Sequence, residues 1–166
     1  MATKDRQTVT PHGNVLRELI EGVELHEMRN IVTQNGLTTE IFRSDWPCGQ
    51  VPIQQTIFVT LRSGTISGWH MHQRQTDRIF VCDGAVRMVL YDARESSRTH
   101  QAINVFHLDR ARPELVTIPT GVWHALQPLG NTAASFVNFF DVLYQHGDPD
   151  EWRLPLVNEQ IPYRFG

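Results

Sequence analysis

Two histidines stand one residue apart in "SGWHMHQRQTDRIF", Ser67 to Phe80, and Asp77 follows five residues after the second. On a strand, successive side chains point to opposite faces, so His70 and His72 share one face, with Cα atoms about 6–7 Å apart. That spacing suits two ligands of one metal ion. Asp77 offers a third ligand, and His124 in "IPTGVWHAL" a fourth from a distant strand. Mixed imidazole and carboxylate ligation accepts Fe(II), Mn(II), Ni(II) or Zn(II), and open coordination positions permit chemistry. The same imidazoles suit proton transfer. They could equally be polar residues on the wet side of a sheet, and Asp77 a plain turn carboxylate.

Short strands are expected to carry these residues. Segments such as "VELHEMRNIVT", "TTEIFRSDW", "VPIQQTIFVTLRSG", "DRIFVCDG", "AVRMVLYDAR", "AINVFHLD", "ELVTIPTG" and "SFVNFFDVLYQ" are rich in Val, Ile, Phe and Thr and bounded by Gly, Asn, Asp or Pro. In "SFVNFF", Phe136, Asn138 and Phe140 fall on one face and Val137 and Phe139 on the other. The pattern predicts an all-β antiparallel sandwich or barrel with little helix. The expected layout is an N-terminal arm over 1–21, a barrel over 22–145 and a C-terminal segment over 146–166 packing on it. "NVLRELIEG", Asn14 to Gly22, is expected to form one short helical turn. Pro149, Pro155 and Pro162 rule out a long regular element near the end. Trp69 and Trp123, each preceding a site histidine, should point to the outer face. Phe136 and Phe140 read as barrel filling. His12, His26, His100, His107 and His146 read as surface residues. Asn138, polar among phenylalanines, needs either a ligand cavity or a neighbouring strand to satisfy its amide.

At 166 residues the chain is long enough for one ordinary core. A formal net charge of -3 argues against nucleic acid as a partner. No apolar run approaches the roughly 20 residues that span a bilayer. The polar start "MATKDRQTVTPHG" carries no apolar signal region, and only Cys48 and Cys82 occur, so a cytoplasmic protein is expected.

Gly64, His70, His72, Asp77 and Gly84 resemble the first motif of the cupin superfamily, with Asp where that motif has Glu. Pro119, Gly121 and His124 resemble its second motif, whose later asparagine is replaced by Pro128. The resemblance implies a jelly-roll barrel. From about Gly22 the chain is similar to the dTDP-4-dehydrorhamnose 3,5-epimerase branch of that superfamily. "QNGLTTEIF" resembles the family's R-G-x-x-x-E-x-F, and "GTISGWHMH" its G-V-L-R-G-L-H-x-Q. "GAVRMVLYDARESSRTH" follows G-x-V-x-D-V-x-V-D-x-R-x-x-S-P-T without a gap, and "IPTGVWHALQPL" follows I-P-x-G-x-A-H-G-F-x-x-L. It implies a homodimer, a nucleotide-linked 4-keto sugar as substrate and no required cofactor. It further implies that His70 is the catalytic base, His124 a second active-site histidine, and Glu40 and Gln55 substrate contacts. A base with pKa near 7 in a dry barrel suits abstraction of a proton beside a ketone.

Departures from the family pattern gather at the same place. Asn35 and Ser67 stand where it has arginines, and Asp77 where it has a lysine. A pyrophosphate would then need other cations, with Arg62, Arg74 and Arg78 nearby. Asn138 aligns with the family's tyrosine acid, and an amide cannot deliver a proton as a phenol does. The family's S-x-K-D segment, source of an aspartate that partners the histidine, falls after Gly166. His72 replaces a glutamine, so two family non-ligands become potential ligands around His70. Three functions follow as expectations. One is a sugar epimerase-like enzyme acting on or binding a keto sugar, with Asn138 in its substrate cavity. Another is a mononuclear metal-dependent cupin, an isomerase or dioxygenase, using His70, His72, Asp77 and His124. The last is a non-catalytic carbohydrate-binding cupin.

Overall fold

The Val-, Ile- and Phe-rich runs do form strands. The computed structural model describes residues 3–13 and 15–166. Its strands are β1 (Glu24–Glu27), β2 (Ile31–Thr33), β3 (Gly36–Thr38), β4 (Gln55–Leu61), β5 (Ser67–Met71), β6 (Asp77–Asp83), β7 (Ala85–Asp92), β8 (Ile103–Asp109), β9 (Glu114–Ile118), β10 (Val122–Pro128), β11 (Ala134–Phe140) and β12 (Trp152–Arg153). The one helical element among the described residues is a 3-10 turn, Pro47–Gly49. Two five-stranded sheets, ordered β1-β9-β6-β11-β4 and β12-β5-β10-β7-β8, face each other, and β2 and β3 form a separate ribbon. Each pairing is antiparallel. This is the expected all-β jelly-roll.

The inner faces meet over Ile79, Val81, Val86, Met88, Leu90, Phe106, Leu108, Val116 and Phe136. Each such side chain, fully removed from water, contributes about 1.5–3 kcal/mol. The alternation in β11 holds. Phe136, Asn138 and Phe140 face inward, while Phe139 packs outward with Cys48, Phe80 and Leu115. Trp69 is fully buried on the outer face of the second sheet, packed with Ile161, Tyr163 and Phe165 of the C-terminal segment. That segment adds β12 to the edge of β5.

Several expectations are corrected. Residues 15–20 form no helical turn, and Asn14 lies outside the described residues. Ile20 is instead buried in the core, with its backbone N–H donated to Asn104 Oδ1 at 2.9 Å, so an extended chain satisfies both its apolar and its polar groups. "VELHEMRNIVT" is split between β1 and β2. "TTEIFRSDW" contributes only Thr38, the end of β3, and residues 39–46 form no strand. Its Ile41, Phe42 and Trp46 lie as a coil over the outer apolar patch of β6, β9 and β11, an alternative way to bury them. His26 is half-buried rather than a free surface residue, because it stacks on Trp46 at 4.0 Å.

Candidate active site

Strand register brings the histidines together. His70 on β5 and His124 on β10 are direct antiparallel partners. Opposed residues share a face with Cβ atoms about 4.5–5.5 Å apart, and these two rings lie 3.9 Å apart. The turn before β10 requires Gly121, whose φ of +80° a side chain would strain. Its N–H bonds to His72 O at 2.8 Å, tying the two histidine-bearing segments together. His72, just past β5, sits 5.7 Å from His70 and 5.6 Å from His124, centroid to centroid. Asp77 opens β6 in the facing sheet and reaches across the interior. Its Oδ2 lies 3.1 Å from His124 Nε2 and 3.4 Å from His72 Nε2. One ligating atom from each of the four residues falls within 4.8 Å of every other.

Each imidazole is held by the same device. His70 Nδ1 donates to Gly68 O at 2.9 Å, His124 Nδ1 to Val122 O at 3.1 Å, and His72 Nδ1 to Asp150 O. A carbonyl oxygen only accepts, so Nδ1 carries the proton in every ring. Nε2 is left as the group aimed inward. Gln75 Nε2 donates to Asp77 Oδ1 at 2.6 Å, which leaves Oδ2 facing the imidazoles.

The electrostatics follow from burial and from these contacts. Burial, then repulsion from His124, holds His70 well below the ordinary histidine range, so its Nε2 is a free lone pair near neutrality. Burial pushes the Asp77 carboxyl up, but contact with His124 and His72 outweighs it and keeps the group ionised well below the usual carboxylate range. Burial lowers His72, yet Asp77 beside it raises it overall.

A cavity of about 910 Å³ opens in front of the cluster. His70 and His72 line it, and Asp77 and His124, each 1% exposed, lie behind. Gln55 and Asn138 also line it. Asn138 Oδ1 accepts the Arg78 backbone N–H at 3.1 Å, so its amide meets both a cavity and a neighbouring strand. Glu40 does not join them within the chain: it is exposed and pairs with Arg43 at 3.4 Å. Of the three cations considered from the sequence, Arg74 alone reaches the cavity wall. Arg62 is exposed elsewhere, and Arg78 is buried on the opposite face of β6, among the outward-facing residues.

Three contributors went unrecognised in the sequence. Tyr144 lines the cavity six residues beyond Asn138, with its N–H donated to Gln55 Oε1 at 2.8 Å. A lone tyrosine after an apolar strand gives no signal of its own. Asp150 caps the loop after His72, accepting N–H bonds from Gln73, Arg74 and Gln75 at 3.0, 2.6 and 3.1 Å. Arg153 on β12 adds a second cation to the cavity.

Fold and site define a jelly-roll barrel with an imidazole-lined interior cavity suited to a small polar molecule. Residues 17–154 match the family model for dTDP-4-dehydrorhamnose 3,5-epimerase, and the chain belongs to that family. It is 30% identical over 137 residues to a probable low-salt glycan biosynthesis epimerase, Agl13, of Haloferax volcanii, covering 82% of this chain and 88% of that protein. It is also 30% identical over 147 residues to the spore coat polysaccharide biosynthesis protein SpsL of Bacillus subtilis, covering 89% of this chain and 97% of the other. A dTDP sugar isomerase structure from Desulfovibrio desulfuricans superposes with a TM-score of 0.80 at 28% identity, over 89% of this chain and 94% of that one. The protein is a sugar epimerase-like enzyme.

Proposed function

We propose that the protein epimerises a carbon beside the ketone of a nucleotide-linked 4-keto sugar, for glycan or polysaccharide assembly. The observation that carries this reading is His70: a neutral imidazole whose proton sits on Nδ1, leaving the Nε2 lone pair at the wall of a sugar-sized cavity. In the reaction, Nε2 takes the proton alpha to the ketone, and the C–H electron pair moves toward the carbonyl oxygen as an enolate. Return of a proton to the opposite face inverts the carbon. Asn138 does not act as the acid, because its amide has no transferable proton. Tyr144 is the phenol of the cavity. Gln55 and Asn138 contact the sugar, and Arg74 and Arg153 at the cavity rim offer charge to a diphosphate. His124, behind His70, supports the site from within the second sheet.

Relatives described as an epimerase and as a dTDP sugar isomerase support the reading. The test is deuterium uptake at carbon 3 or 5 of dTDP-4-keto-6-deoxyglucose in D2O. Uptake with the native protein and none with His70→Ala is expected. No uptake by the native protein removes the reading.

A homodimer belongs to the same proposal. Strand β4 is the open edge of its sheet and carries Phe58 at 66% exposure, and the β2–β3 ribbon exposes Val32 at 80%. An unpaired edge beside exposed apolar groups invites pairing with a second copy. Glu40, distant from the cavity of its own chain, is then positioned by the partner contact rather than by its own barrel.

A further inference from the structure

We propose that Arg78 and Thr117, on the outer face of the first sheet, form a buried site for one small monovalent anion. The two residues are direct cross-strand partners on β6 and β9. Phe139 on β11 flanks Arg78 on its other side. The coil that carries Ile41, Phe42, Trp46 and Cys48 lies over the same face, together with Phe80 and Leu115. Burial pushes the Cys48 thiol up, and the charge of Arg78 acts against that rise, which puts the guanidinium close beneath the coil. Arg78 is 2% exposed and Thr117 8%.

Polar accounting carries the inference. A guanidinium stays charged at any working pH, and a buried charge is costly unless it is paired. Arg17 and Arg94, both partly sheltered, meet Glu114 and Asp92 at 3.2 and 2.8 Å. Arg78 is more buried than either, yet its Nε and Nη1 have no hydrogen-bond partner among the described residues. Thr117 Oγ1, on the neighbouring strand, is buried and unbonded as well. Adjacent residues thus hold three polar atoms without a partner, where buried groups ordinarily have one. The row of paired residues continues from Thr117 to Glu24 on β1. Strands lie about 4.8 Å apart, so Glu24 stands about 9–10 Å from Arg78 at Cα. Its side chain is exposed rather than turned under the coil.

The same groups define the ligand. Guanidinium N–H groups only donate, and the hydroxyl can donate beside them, so the occupant is an acceptor. Water would satisfy the donors and leave the charge uncompensated. One buried positive charge calls for one negative charge. A dianion such as phosphate would leave an excess charge among Cys48, Phe80, Leu115 and Phe139. A halide, nitrate or small carboxylate fits. The site lies on the face of β6 opposite the cavity and does not depend on the epimerase reading.

The test compares full-length protein in sodium bromide and in sodium gluconate at equal ionic strength, gluconate being too large for the site. With bromide about 10-fold above the Kd read from its own titration, Tm should exceed the gluconate value by about 3–6 °C. Arg78→Met removes the charge at similar volume. It should be at least as stable as the native protein in gluconate and should gain nothing from bromide. Should that variant fail to fold, Thr117→Val keeps the shape, loses the hydroxyl and should weaken bromide binding by about 10-fold. Crystals soaked in bromide should show an anomalous peak in contact with Arg78 Nε or Nη1. An equal bromide effect in the native protein and both variants, or anomalous peaks only elsewhere on the surface, means an adventitious ion only and overturns the site. So does a water, the Glu24 carboxylate or a carboxylate of a second copy of this chain seated on Arg78. Phosphate bound there more tightly than bromide overturns the monovalent assignment.

Discussion

In the proposed scheme His70 carries the chemistry of the cavity and Arg74 the binding. Arg74 touches no reacting atom in the proposed scheme and sits at the rim with its side chain 58% exposed. Arg74→Ala should therefore raise KM for a nucleotide-linked substrate by about 10-fold, the cost of one charge-assisted hydrogen bond, while kcat stays close to native. Steady-state kinetics on the 4-keto sugar separates the two, and a fall in kcat with KM unchanged contradicts the assignment. Asp92 is a residue of the opposite kind, with a structural role only. It is fully buried, and Arg94 Nε, Ser97 Oγ and Thr99 Oγ1 donate to it at 2.8, 2.6 and 2.7 Å. Asp92→Ala leaves the Arg94 guanidinium without its carboxylate, with only Glu21 O still accepting from it, and should cost about 3–5 kcal/mol, read from urea unfolding.

Asp150 shows how a loop aims a side chain. Its carboxylate gathers three successive N–H groups after His72, and its carbonyl accepts from the His72 ring. Asp150→Ala should leave the barrel folded, at a cost of about 1–3 kcal/mol for the unsatisfied donors. It should also slow the deuterium exchange of the proposed reaction, because the His72 ring at the cavity wall loses its aim. Native-like exchange in that variant would show that β5 alone positions His72. The β6–β7 turn is a second point of control. Gly84 has φ +70°, and a Cβ there would lie 2.8 Å from Ala133 O. Gly84→Val meets both strain and clash and should destabilise by more than about 2 kcal/mol, visible as a lowered Tm.

Across the whole molecule, acid should unfold this protein through its buried carboxylates. Burial pushes Asp92 up, but hydrogen bonds from Arg94, Ser97 and Thr99 outweigh it and hold the group well below its ordinary value. A carboxyl depressed in the folded state contributes stability that is complete above the unfolded value, about 3.9, and is lost as pH falls through the folded one. Unfolding free energy should thus be flat for this group at neutral pH and fall below about pH 4, and Asp92→Asn should flatten that acid limb. Assembly is the other whole-molecule property. A native mass of twice 19.1 kDa is expected by light scattering, and Val32→Asp with Phe58→Asp should give a monomer. A native monomer refutes the dimer.

Much of the fold was legible because strand signals are local. Alternation placed Phe136 and Phe140 inside, and the offset of one residue sent Trp69 to the outer face. Periodicity also put His70 and His72 on one face, residue type offered Asp77 and His124 as companions, and the family resemblance implied active-site roles for His70 and His124. Local pattern failed where tertiary burial replaced it: residues 39–46 carry strand-like composition yet cover a sheet as coil, and Ile20 enters the core from an extended segment. The direct opposition of His70 and His124 depends on the register of β5 against β10, strands separated by more than fifty positions. The approach of Asp77 depends on the packing of one sheet over the other. Residue types and short spacings follow from the chain itself. The few ångströms that turn three imidazoles and a carboxylate into one site come from long-range pairing and packing, and these arise only once the barrel has formed.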